Sequence, residues 1–169
     1  MGNTMTRRIA GIIIALAIQV LFLNNMHIAG YITPIIIGYP LTCFHRESSR
    51  YGLLILGFLS GLVYDIFSDT MGMGTISSTL LAFVQQPILN LFKPRDAADD
   101  FSPTIRALGA GHYIAYITSC MIIYHLSFYL LDAFSVAYIP LTALAIIGGT
   151  VLSVVLITIY ESVIRSDRR

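Results

Sequence analysis

The apolar positions of this chain fall in six long runs, each closed by a short polar or charged stretch: Ile9–Leu23, Ile28–Phe44, Tyr51–Phe67, Met71–Phe92, Ala107–Leu131 and Tyr138–Tyr160. Runs of this length with so few charges read as helices that cross a bilayer, whose hydrocarbon core takes about 20 residues per crossing. The first and third are short for a full crossing, which flanking polar residues or local thinning absorbs. Ser102 followed by Pro103 predicts an N-cap with proline in the first helical position, where its missing N–H costs nothing. Pro140 admits the same reading at the start of the sixth run.

Composition points the same way: 56% of the 169 residues are hydrophobic and 11% charged, against about 25% charged in a soluble domain. The expected class is an all-α integral membrane protein, a single transmembrane domain over 1–169 with no soluble domain. Orientation follows from the basic residues, which are retained on the cytoplasmic side. They stand at Arg7 and Arg8, at Arg46 and Arg50, at Lys93, Arg95 and Arg106, and at Arg165, Arg168 and Arg169. These are the N-terminus, the second and fourth loops and the C-terminus, all on one side of a six-span arrangement. An even number of crossings and both termini in the cytoplasm are therefore predicted, with the first helix uncleaved because Leu23-Asn24-Asn25-Met26 offers no small-residue processing site. No basic run is long enough for a nucleic-acid patch.

Chemistry has little to work with. His27, His45, His112 and His125 are scattered, and none shares an i, i+4 face with a carboxylate, so neither metal nor cofactor is expected. Ser77, Ser78 and Thr79 have no visible base, and hydroxyls on a helix commonly bond back to a carbonyl. Cys43 and Cys120 belong to different depths and predict no disulfide. An enzyme is not expected.

Two predicted helices carry unusual residues. The third places Gly57, Gly61 and Asp65 at successive i+4 positions, a small-residue face along which a second helix can approach closely, ending in an acid. An ionisable group at membrane depth costs about 2.5–3.5 kcal/mol on insertion scales. Asp65 therefore either snorkels or caps the start of the fourth helix through free N–H groups, or anchors a buried polar contact within the bundle or with a partner. Asp69 lies one turn further out. The second helix holds Gly30, Pro34, Gly38 and Pro40, and is expected to kink. The first has Gly11 and Ala15 with Gln19 beyond them, and the sixth has Gly148, Gly149 and Ser153.

Gly57-x3-Gly61-x3-Asp65, followed by an apolar pair, a polar turn and Gly72, resembles the central signature of the MreD family of rod shape-determining proteins. Pro34 matches the family's proline, while Ile35 stands where a polar residue is frequent and Asp69 where a small one is. The resemblance spans essentially the whole chain. It implies a non-enzymatic scaffold of the bacterial cell-elongation complex in the inner membrane. It also implies an MreC-type bitopic partner and, through it, the RodA glycosyltransferase, a class B penicillin-binding protein and MreB, with lipid around it and homodimerisation left open. It implies a fold resembling the substrate-binding S-components of energy-coupling-factor transporters, which supplies the rival expectation of a vitamin-binding uptake subunit.

Overall fold

The computed structural model describes residues 2–23, 34–44, 49–94, 101, 103–132 and 139–166, with the backbone alone for 2–9, 139 and 163–166. Its regular elements are all helices: α1 (Gly2–Leu21), α2 (Tyr39–Thr42), α3 (Arg50–Ser68), α4 (Met73–Phe92), α5 (Ile105–Leu108), α6 (Ala110–Asp132) and α7 (Ile139–Ser166). Gly30, His27, His45, Ser102 and the Asp96–Asp100 stretch lie outside the described residues.

Three helical stretches, Arg50–Ser68, Ala110–Asp132 and Pro140–Ser162, are long and apolar enough to cross a membrane. The distribution of side chains across the bundle agrees with an apolar surrounding. Along α3, Ile55, Phe58, Leu59, Leu62, Ile66 and Phe67 are exposed, whereas Ser60 and Asp65 are buried with Leu53, Gly57, Gly61 and Tyr64. Along α4, Ile76, Leu80 and Phe83 face outward, and Ser77, Ser78, Gln85 and Gln86 face inward. In water this arrangement would leave a contiguous apolar surface uncovered; in hydrocarbon it costs nothing, and the polar groups find partners only inside.

The chain winds as neighbouring antiparallel helices. α3 and α4 form the most intimate hairpin, α4 lies along α6, α6 along α7, and α1 rests on α3 and α2. On α7 the buried series Ala145, Gly149, Ser153, Ile157 and Glu161 repeats every fourth residue and faces the bundle. The inner face of α6 is aromatic: Tyr113, Tyr116, Tyr124, Phe128 and Tyr129 are buried with His125, and Tyr124 and Phe128 stack with ring centroids 6.4 Å apart.

Two predicted helices differ in extent, α1 beginning at Gly2 rather than Ile9 and α7 running to Ser166 rather than Tyr160, and two differ in continuity. The second, Ile28–Phe44, is not continuous: of residues 34–44 only the single turn Tyr39–Thr42 is helical. Pro34 and Pro40 each remove a backbone donor, and the ring of Pro40 would clash with the carbonyl of residue 36 in a continuous helix. The fifth, Ala107–Leu131, is two elements: α5 ends at Gly109, whose φ of 77° breaks the path, and α6 starts at Ala110. The N-cap of α5 is Thr104 rather than Ser102, its hydroxyl accepting from Ala107 N at 3.1 Å, and Pro103 stands before the cap instead of in the first helical position.

Candidate functional site

The Gly57–Gly61–Asp65 face lies against α4 of the same chain. A Cβ added at Gly57 would stand 2.8 Å from the Ala82 Cβ and 2.9 Å from the Ser78 carbonyl oxygen. At Gly61 it would stand 2.5 Å from both the Gly74 carbonyl oxygen and the Thr75 Cα. Gly74 reciprocates, with its missing Cβ filled by the Tyr64 ring at 2.5 Å and the Asp65 carboxylate at 2.7 Å. Backbone thus meets backbone at Gly61, and dispersion between two close helices supplies the adhesion that water would otherwise drive.

Asp65 closes both helix ends at the top of this seam. Its carboxylate accepts from Gly74 N at 2.8 Å and Thr75 N at 2.8 Å, and from the Thr70 and Thr75 hydroxyls at 2.5 Å each. With Gly72 as N-cap, these amides are the second and third of α4, the donors an N-cap side chain ordinarily satisfies. Gly72 has no side chain, so Asp65 supplies the acceptor from the preceding helix and sets a negative charge against the positive end of α4. Its own carbonyl accepts from the N–H of Asp69, the C-cap of α3, and from Thr70 N at 3.2 Å. Asp69 at φ 53° and Gly72 at φ 84° turn the chain through the left-handed region, where glycine is at ease and Asp is tolerated. Of the two roles open to Asp65 in the sequence, it thus performs the cap, and the cap is itself a buried polar contact.

A second polar assembly surrounds the interrupted segment. The Gln19 amide is bidentate: Nε2 donates to Pro34 O at 3.0 Å and Oε1 accepts from Ile36 N at 2.8 Å. Ile35 N donates to Ser153 Oγ at 2.9 Å. The Ser153 hydroxyl lies 3.4 Å from His125 Nε2, and His125 Nδ1 lies 2.9 Å from Met121 O. A carbonyl only accepts, so Nδ1 carries the hydrogen and Nε2 is left to accept from Ser153. At the other end of the segment Tyr116 Oη donates to Thr42 O at 2.9 Å, and Gln85 Nε2 reaches Tyr116 Oη at 3.0 Å and Phe44 O at 3.3 Å. The Tyr39 hydroxyl donates to buried Glu161. Backbone groups that a helix would pair with one another are thus paired with side chains from α1, α4, α6 and α7. Gly38 fits among Leu81, Met121 and Tyr124, with a Cβ there 2.8 Å from the Leu81 side chain.

The other residues singled out in the sequence take different places. Gly11 borders open space, with nothing within 4 Å of an added Cβ, so no close contact forms there, while Ala15 is buried. Gly72 likewise borders open space and serves the turn. Asp69 is exposed. Ser77 and Thr79 donate back to Met73 O and Thr75 O at 2.7 Å each. Neither Cys43 nor Cys120 forms a disulfide. Gln85, Tyr116 and Glu161 are polar anchors that the sequence reading passed over. Adjacent Gln85 and Gln86 inside an apolar run are the available signal, whereas Glu161 stands just beyond the last predicted span. Compared with protein-family models, curated proteins and solved structures, the chain matches none.

Proposed function

We propose that this chain is a six-span inner-membrane scaffold of the MreD type, with both termini in the cytoplasm, acting in bacterial cell elongation through an MreC-type bitopic partner. Through that partner it would serve RodA, a class B penicillin-binding protein and MreB. Three lines support the crossings. α4 is antiparallel to α3 and lies along it, so a crossing by α3 entails a return by α4. Arg50 at the start of α3 bonds to Gln86 near the end of α4, and Phe92 of α4 meets Tyr116 of α6. Arg50, Lys93 and Arg106 therefore share one end of the bundle, as retention of basic residues in the cytoplasm requires.

The observation that carries the functional reading is the α3–α4 hairpin. Gly57, Gly61, Asp65 and Gly72, the residues of the resemblance, each have a separate physical task in it: close approach twice, closure of two helix ends, and a left-handed turn. A motif used in this way stiffens a hairpin and leaves the outer faces of the bundle for a partner. The MreC-type protein then meets one of those faces rather than the seam.

A second reading has one observation in its favour. Unwound backbone at membrane depth, as at Pro34–Ile36, lines substrate sites in transporters, which fits the S-component-like alternative. The polar groups that converge on this stretch, Gln19 and Ser153, are occupied with the backbone itself, which favours a packed interior. The test is co-expression with the MreC-type protein, purification in mild detergent and imaging of depleted cells. Co-purification and rounding of rod-shaped cells are expected. No co-purified partner, unchanged cell width and lost uptake of a vitamin would replace the scaffold by the transporter.

A further inference from the structure

Near the C-terminal end of α4, polar groups gather on one stripe that begins at a hairpin contact and continues beyond it. Gln86, Asn90 and Lys93 follow at i, i+4 and i+7, a single helical face about 10 Å long. Gln86 Oε1 accepts from Arg50 Nε at 3.1 Å, which brings the guanidinium of the first residue of α3 onto the same stripe. Arg50 and Asn90 are exposed and Lys93 half-buried. Beside them Tyr51 and Leu91 are each 80% exposed, and Ile55, Phe83 and Pro87 continue this uncovered apolar surface deeper along α3 and α4. Two cations and an amide donor thus stand over an apolar surface.

We propose that this stripe binds the head group of an anionic phospholipid, with the phosphate held by Arg50 and Lys93 and the acyl chains laid along Ile55, Phe83, Pro87 and Leu91. A guanidinium fork pairs with phosphate oxygens bidentately, and a lysine serves as a point charge beside it. Charge complementarity selects the occupant. Among the described residues no exposed acid shares this end: Asp65, Asp69 and Asp132 belong to the opposite end, and Glu161 is buried against Tyr39. A zwitterionic head would bring its own cation against Arg50 and Lys93. A free phosphate would make no use of the apolar surface below. The bland account, that the two cations only complement the carbonyl end of α4, requires no lipid selectivity at all.

The proposal rests on the orientation given above only in naming the cytoplasmic leaflet, and a reporter fused after Arg169 reads that orientation separately. The experiment uses the full chain purified in detergent and mixed with equal phosphatidylglycerol and phosphatidylcholine, with retained lipid counted by native mass spectrometry. About thirtyfold preferential retention of phosphatidylglycerol is expected for two basic residues, declining in high salt. The double variant Arg50→Gln, Lys93→Gln should lose the preference, and Arg106→Gln, off the stripe, should keep it. Because Arg50 also ties α3 to α4, Lys93→Gln alone is the companion variant; it breaks no contact of the hairpin and should lower the preference about fivefold. Equal retention of the two lipids by the unaltered chain would overturn the proposal, as would an undiminished preference in the folded Lys93→Gln variant.

Discussion

Placing an alanine at position 61 tests the seam and the cap together. The new Cβ would lie 2.5 Å from the Gly74 carbonyl oxygen and the Thr75 Cα. Ordinary contact begins near 3.4 Å, so the two helices must part by about 3.4 − 2.5 = 0.9 Å at this level. Both obstructing groups are backbone and cannot rotate away. The residues displaced are the ones whose amides reach Asp65 at 2.8 Å, and a shift of that size takes both bonds toward 3.7 Å, outside hydrogen-bonding range. Overpacking costs about 1–3 kcal/mol, and weakening bonds to a charged acceptor adds about 1–3 kcal/mol more. Gly61→Ala should therefore destabilise the fold by about 2–6 kcal/mol, and Gly61→Leu by more, with the chain still inserted. The assay is unfolding in mixed micelles by SDS titration, run as a double-mutant cycle with Asp65→Asn. Because both changes act on one cap, the pair should be less damaging than the sum, with a coupling of about 1–2 kcal/mol. Gly57→Ala, a full turn nearer the centre, should add independently to Asp65→Asn. Gly11→Ala, with open space before it, should be neutral or slightly stabilising, as a helical Gly-to-Ala change is. A Gly61→Ala chain as stable as the unaltered one, or strict additivity with Asp65→Asn, would refute the coupling of seam and cap.

The interrupted segment makes two further expectations. Gln19→Leu strands both Pro34 O and Ile36 N, at about 1–3 kcal/mol for each group, and Ser153→Ala strands Ile35 N and takes the donor from His125 Nε2, at a similar total cost; the same SDS titration measures both, and equal stability of Gln19→Leu and the unaltered chain would remove the clamp from the account. For topology, reporter fusions after Arg169 and within Asp96–Asp100 should read as cytoplasmic and one near Asn25 as periplasmic. A periplasmic signal at the C-terminus would end the six-span arrangement.

What could be read in the chain beforehand depended on range. The bounds of α3, α4 and the start of α7 fall within two residues of the polar punctuation that predicts them, because charged and turn-forming residues close each apolar run. The spacing of Gly57, Gly61 and Asp65 identified a face but not its occupant, since periodicity says which residues point together and is silent about what they meet. That occupant proved to be the next helix, and the cap reaches only from Asp65 to Gly74 and Thr75. The second segment was harder. Pro34, Gly38 and Pro40 predict a kink, but whether a kink becomes a break depends on distant groups able to take over the freed backbone. Ser153 lies 118 residues from Ile35, and no local pattern connects them.

That break also settles how α1 and α7 find their positions. In hydrocarbon there is no hydrophobic drive to draw helices together, and two smooth apolar helices can slide by a turn at small cost. A continuous helix at 34–44 would pair its own backbone and offer its neighbours side chains alone. Opened at Pro34–Ile36, the segment instead presents one carbonyl and two amides that must be satisfied inside the bundle. The bidentate amide of Gln19 matches the alternate pair Pro34 O and Ile36 N, as a neighbouring strand would, and the Ser153 hydroxyl matches the amide between them. Shifting α1 or α7 by one turn, about 5.4 Å, would leave these groups bare, at about 1–3 kcal/mol for each. The helical hydrogen bonds given up within the segment return as bonds between segments. The register of α1 and α7 is thereby fixed by chemistry that dispersion alone does not supply.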